Sequence, residues 1–220
     1  MRHRPHDLLW LADAALSGAD PGWPDWASPV WCARVPVVVR RAPPDAAGRL
    51  AVGLRGLARH QRCAAWAAPD RVLRSKTPEA RLAGWRREGR PAHWRDRPCL
   101  RALDAVAAAW SDLGLDWGVT GSVGFALASG IELLRDDSDL DLLVRTGSAA
   151  DAGLLRRLEP MLAPVAQVPG ARIDVQVQTP RGGFALREWL DEGGRVLLKT
   201  DSGPLLCDDP WHPDAAPDPR

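Results

Sequence analysis

Residues 117–145 read WGVTGSVGFALASGIELLRDDSDLDLLVR, and the rest of the chain takes its meaning from this stretch. Gly121-Ser122 opens a run of small and apolar residues, Val123 to Ala128, that predicts a helix from about Ser122 to Ala128. Asp139-Leu-Asp141 leads into Leu142-Leu-Val144, which predicts a strand. Strand side chains alternate, so Asp139 and Asp141 project from one side. Two carboxylates on one face repel each other unless a cation lies beside them. Hard oxygen ligands of this kind, completed by water and substrate phosphate, suit Mg²⁺ or Mn²⁺. A Gly-Ser pair at a helix start offers backbone N–H groups and a hydroxyl to phosphate oxygens.

Toward the C-terminus, ARIDVQVQT (171–179) alternates strictly. Ile173, Val175 and Val177 fall on one side, and Asp174, Gln176 and Gln178 on the other. If this strand pairs beside the Asp139 strand, Asp174 completes a two-metal clamp, one ion for the attacking oxygen and one for the leaving phosphates. Helices are expected at 99–113, 150–162 and 184–193, and a last strand at 195–200 carrying Lys199. The Pro/Asp/Ala-rich tail after Trp211 is expected to be disordered.

Toward the N-terminus, Leu8, Leu9, Leu11, Ala12, Ala15 and Leu16 have helical spacing and predict a helix over 7–16. Segments 34–41 and 50–56 read as strands, and 57–68 as a helix. On that helix Arg55, Arg59 and Arg62 would form one stripe facing a triphosphate or an acidic protein, or simply solvent. Thr77-Pro78-Glu79 starts a further helix, to about Arg87, with Pro in the first helical position. Residues 88–98 are polar and Pro-containing, which places a boundary between an N-terminal substrate- or partner-binding domain (1–95) and a catalytic domain (96–220). The fold class is α+β, with a mixed sheet flanked by helices in the second domain.

Of 220 residues 45% are hydrophobic, enough for a real core, and the formal net charge is only +1, so phosphate affinity must come from local clusters. That balance argues against a nucleic-acid partner. Cys32, Cys63, Cys99 and Cys207 form no C-x-x-C pair, which leaves four separate thiols of a reducing compartment. LLWLADAAL (8–16) is interrupted by Asp13, and no apolar run approaches the ~18 residues of a membrane span. A cytoplasmic protein without a membrane partner is expected. Seven of the eleven tryptophans lie in the first hundred residues, where their faces could hold adenine or build a small core.

The order Gly-Ser, DxD, then a third Asp on a later strand resembles the nucleotidyltransferase superfamily that includes DNA polymerase beta. Sixteen residues separate Ser122 from Asp139, longer than is usual there, so an inserted loop is expected. The stretch 117–130 with SDLDLLVR (138–145) is similar to the holo-acyl-carrier-protein synthases of malonate decarboxylase, also called phosphoribosyl-dephospho-CoA transferases. HDLLWL (6–11), VVVRR (37–41), VGLRGLARHQR (52–62), TPE (77–79), FALREW (184–189), LLKTDSGPLL (197–206) and DPW (209–211) agree. The resemblance implies triphosphoribosyl-dephospho-CoA as donor, a serine of the apo-acyl carrier protein as acceptor, and diphosphate as leaving group. Asp139, Asp141 and Asp174 would be catalytic and metal-binding, and Gly121, Ser122, Arg55, Arg59, Arg62 and Lys199 substrate-binding. The residues alone also admit an ATP- or CTP-using nucleotidyltransferase acting on a small molecule, RNA or protein, or a nucleotide-sensing module that does not turn over.

Overall fold

Alternating apolar residues build two six-stranded sheets in the computed structural model, which describes residues 3–12, 15–18, 22–88, 94, 96–148, 151–163 and 165–213. The first contains β1 (Leu8–Leu11), β2 (Leu16–Ser17), β3 (Val37–Val39), β4 (Leu50–Arg55), β5 (Arg62–Ala67) and β6 (Val72–Lys76). Its order is β2-β5-β4-β3-β1-β6, antiparallel throughout. The second contains β7 (Asp116–Val119), β8 (Leu140–Arg145), β9 (Ile173–Gln178), β10 (Gly183–Ala185), β11 (Val196–Thr200) and β12 (Gly203–Cys207). Its order is β12-β11-β10-β9-β8-β7, and only the β8–β9 pair is parallel. Six α-helices accompany them among the described residues: α1 (Pro29–Arg34), α2 (Pro78–Glu88), α3 (Pro98–Ala109), α4 (Gly121–Ser129), α5 (Ala152–Leu162) and α6 (Leu186–Asp191). The architecture is α+β, as expected.

Two local expectations fail. Residues 7–16 are not a helix: Leu8 and Leu9 sit in β1, paired on one side with β3 and on the other with β6. A short run that is apolar on both faces fits a central strand as well as a helix, and here pairing on both edges decides. The segment 57–68 is not a helix either: it is a turn followed by β5, paired along its length with β4. Cys63 to Ala67 are small or aromatic residues that fit a pleated surface, and the hairpin register buries Ala65 and Ala67. The 184–193 segment begins as β10 before turning into α6. The tail beyond 213 lies outside the described residues. So do residues 89–93 and 95 of the expected domain boundary.

Apolar residues of both sheets form one continuous cluster. α3 contributes Cys99, Leu100, Ala102, Leu103 and Val106, all fully buried, and packs on β8 and α5. β8 supplies Leu140, Leu142, Leu143 and Val144 from its buried positions. No helix among the described residues is long and apolar enough to cross a membrane.

Where the sheets meet, polar groups join them. α2 follows β6 directly yet packs on β7 and α4 of the second sheet. From α2, the Arg81 guanidinium, only 2% exposed, donates to Val119 O at 2.8 Å beneath the second sheet and to His6 O in the first. Arg145 at the end of β8 pairs with Glu79 of α2 and lies 4.0 Å from the buried Asp7. Such a network is costly to break, because each abandoned partner stays buried.

The approach of α2 to β7 is close enough to require glycine. A Cβ on Gly118 would stand 2.1 Å from the Pro78 carbonyl carbon and 2.3 Å from Glu79 N, both backbone atoms that cannot step aside. Gly118→Ala is therefore expected to destabilise the protein by about 3 kcal/mol or more in urea unfolding, as overpacking of a tight contact does. Gly153→Ala, at an open helical position, is expected to stay within about 1 kcal/mol of the parent and on the stabilising side. A Gly118→Ala protein as stable as the parent would contradict the packing described.

Candidate active site

The parallel pairing of β8 and β9 sets Asp141 directly opposite Asp174 in register. Neighbouring strands lie about 4.8 Å apart, so the two carboxylates stand side by side on one face. Asp139 precedes β8 on the same edge. Burial, with the negative charges of Asp174 and Asp139 added, pushes the Asp141 carboxyl up to about 6. Thr120 N donates to Asp141 O at 2.9 Å and ties the start of α4 to β8. Gly121 then crosses the carboxylate with φ 57°, and a Cβ on it would stand 1.7 Å from Asp141 Oδ2. Glycine is needed there twice, for its backbone conformation and for space.

The first sheet faces these carboxylates with cations. Arg55 ends β4, Arg62 begins β5 opposite it, and Arg59 lies in the turn between them. The three arginines do gather, but by a hairpin and not by a helical stripe. Arg55 is 91% buried (9% exposed), donates to Ser122 Oγ at 2.8 Å, and lies over the Phe125 ring with Nε left without a partner. Burial, and then Arg62, pull its pKa down, while Asp141 supports its charge. Ser122 is thus held by Arg55 and not by its own helix.

Asp139 is engaged differently from its two neighbours. Its carboxylate accepts from Arg59 at 3.2 Å and from Arg172, the residue just before β9. Among the described residues no three acidic, His or Cys side chains converge as a ready metal-ligand set. Asp141 and Asp174 do offer a hard all-oxygen pair, crowded enough to favour a divalent cation.

Two adjoining cavities meet at Arg55, Arg62 and Asp141. The larger, about 530 Å³, runs between the sheets, with Arg40, Gly53 and Ala64 on one wall and Asp141, Asp174 and Gln176 on the other. The smaller, about 120 Å³, is polar and holds Arg59, Ser122, Arg135, Ser138 and Asp139. The sixteen residues between Ser122 and Asp139 thereby acquire a structural use: their loop buries Leu134 and brings Arg135, Asp137 and Ser138 to the small cavity. Lys199, exposed on β11, lines neither cavity. No tryptophan lines either one; Trp85, Trp94, Trp110, Trp117, Trp189 and Trp211 are buried in the core instead. Arg172, Arg135 and His6 escaped the sequence reading. Arg172 alone carried a signal, because in-register pairing of the two Asp-bearing strands brings the residue before Ile173 next to Asp139.

Residues 82–210 match the family described as phosphoribosyl-dephospho-CoA transferase MdcG C-terminal domain, and residues 4–78 its N-terminal domain family. A phosphoribosyl-dephospho-CoA transferase of Pseudomonas aeruginosa is 48% identical over 213 residues, 94% of this chain and 93% of the relative. One of Klebsiella pneumoniae is 45% identical over 211 residues, 95% and 96% of the two chains. One of Pseudomonas syringae pv. tomato is 46% identical over 208 residues, 94% and 93%. No solved structure matches the chain. With both family segments matched in order and near-complete coverage by relatives at this identity, the chain belongs to the phosphoribosyl-dephospho-CoA transferase family of transferase enzymes.

Proposed function

We propose that the enzyme moves the 2'-(5''-phosphoribosyl)-3'-dephospho-CoA group from its triphosphate precursor to a serine of the malonate decarboxylase acyl carrier protein in the cytoplasm, releasing diphosphate. The observation that carries this reading is the in-register pair Asp141 and Asp174, set across a cleft from the buried Arg55 and from Arg62. The activity for which the relatives are named supports the donor.

The serine Oγ forms a bond to the α-phosphorus, and the bond from that phosphorus to the β-bridging oxygen breaks. The electron pair leaves with diphosphate. The serine proton passes to water at the solvent side of the cleft, where Asp174 is exposed. Ser122 and the Gly121 backbone hold phosphate oxygens, with Arg55 fixing the Ser122 hydroxyl. Arg59, Arg62, Arg135 and Arg172 surround the leaving end and stabilise its developing charge. The triphosphate draws Arg59 and Arg172 away from Asp139 and frees that carboxylate. Mg²⁺ or Mn²⁺, held by Asp141 and Asp174 with Asp139 joining them, would neutralise the triphosphate and ease ionisation of the serine.

Asp139→Asn, Asp141→Asn and Asp174→Ala are each expected to lower transfer about a thousandfold while leaving the circular dichroism spectrum unchanged. The assay weighs the apo-carrier by mass spectrometry after incubation with Mg²⁺ and either triphosphoribosyl-dephospho-CoA or ATP. Near-parental labelling by Asp141→Asn would sink the site. Labelling from ATP as fast as from the CoA derivative would sink the donor.

A second test needs no turnover. The folded-state pKa of Asp141 is raised above its ordinary 3.8, so its ionised form opposes folding. The penalty is absent below the ordinary value and complete above about 6, on the order of 2–3 kcal/mol. In chelator, Asp141→Asn is expected to raise the melting temperature at pH 8 and to leave it unchanged at pH 3.5. Mg²⁺ at pH 8 is expected to raise that of the parent and not that of the variant. Equal Mg²⁺ responses in the two proteins would remove Asp141 from the cation site.

A further inference from the structure

The polar face that carries the carboxylates does not stop at Asp174. Along β9 it continues through Gln176 to Gln178, and across the sheet it continues through Gly183 of β10 to Lys199 of β11, each directly opposite the next. At about 3.3 Å per residue, Gln178 lies on the order of 13 Å along the strand from Asp174.

A second group of cations gathers at this far end. Arg41, just beyond β3 in the first sheet, reaches across and donates to Gln178 Oε1. Gly183 makes room for it: a Cβ there would stand 2.9 Å from Arg41 Nη2. The guanidinium is half-buried, and its hydrogen-bond partner is a neutral amide. Burial lowers its pKa; Asp201 opposes that at a distance, and Arg145 adds to it. Lys199 faces the same side as Gly183, because directly opposed residues of antiparallel strands share a face. A half-buried guanidinium that spends one N–H on a neutral amide keeps further donors for an anion.

His6 stands beside them on the cleft wall. Arg4-Pro5-His6-Asp7 is a tight turn, closed by Asp7 N donating to Arg4 O at 3.0 Å. Proline second and a positive φ third define a turn that favours glycine in third place. His6 occupies that place with φ 73°, the only non-glycine residue with positive φ among those described. Its backbone is held on both sides, N to Val39 O and O from Arg81. Its ring makes no hydrogen bond to any described residue. Burial, with Arg41, Arg81, Arg145 and Lys199 around it, holds the ring neutral, its pKa lowered to about 4. Strain retained where a smaller residue would relieve it points to a task for the side chain.

We infer that Arg41, Lys199 and His6 form a second anion subsite, which holds the diphosphate bridge of the dephospho-CoA part of the donor while the carboxylate end handles the triphosphate. The inference rests on the proposed donor. That molecule carries a triphosphate and a diphosphate separated by two linked ribose rings, a span comparable to the strand distance between Asp174 and Gln178. Arg41 grips the bridge through its free N–H groups, Lys199 adds a point charge, and the His6 ring N–H donates to a phosphate oxygen.

Titration calorimetry on the full chain, with dephospho-CoA and inorganic triphosphate as separate probes, tests this. The parent is expected to bind both. Arg41→Gln and Lys199→Gln are each expected to weaken dephospho-CoA about tenfold and to leave triphosphate within about twofold. Arg172→Gln is expected to do the reverse. Lys199 is exposed, so its variant folds whatever becomes of the Arg41 variant. Unchanged dephospho-CoA affinity in both variants, or equal loss of both probes, overturns the second subsite and leaves the proposed function standing. A parent that binds triphosphate but not dephospho-CoA overturns both.

Discussion

Asp141 and Asp174 face each other because β8 and β9 run parallel in a sheet whose other pairs are all antiparallel. Two like charges are held together by backbone pairing, and the surroundings answer that repulsion. Gly121 gives up its side chain to pass over Asp141, and Thr120 anchors the crossing. The buried Arg55 comes from the other sheet and reaches Ser122. The first sheet therefore completes the site, and the joint made by Arg81, Glu79 and Arg145 sets how well it does so.

The charges of the cleft explain why a net charge of +1 says so little about the enzyme. Acids and arginines are locally balanced around the small cavity, and Asp139 already occupies two guanidiniums. A polyanion bound there would exchange one set of ion pairs for another and would not enter an empty positive field. Exposed ion pairs of this kind are worth little and are easily exchanged. The buried Arg55 is fixed and the exposed Arg59 and Arg172 are exchangeable, a division of labour set by burial.

The second sheet was legible in the sequence where its strands are one-sided. Strict alternation in 173–178 predicts which residues turn inward, and the burial of Val175 and Val177 agrees. The first sheet was not legible at Leu8-Leu9, because both residues are apolar and a centre strand buries both faces. The arginine cluster survived a wrong local assignment, since a hairpin brings Arg55 and Arg62 opposite each other just as a helix would bring them onto one face. Arg81, His6 and Arg172 depend on contacts between residues distant in sequence, which no local period encodes. The tryptophans show the opposite case: abundant and conspicuous, they mostly fill the core.

Arg81 has one further consequence. It lies on α2 between the two family matches, one residue before the C-terminal one begins, and holds His6 and Lys76 of the N-terminal match as well as Val119 of the C-terminal one. With a buried guanidinium occupying the junction, hydrogen bonds tie the two walls of the cleft to each other. The cleft is assembled during folding, and the entropy of bringing the two walls together is spent before any substrate arrives. A cleft assembled in this way presents a standing surface to its ligands.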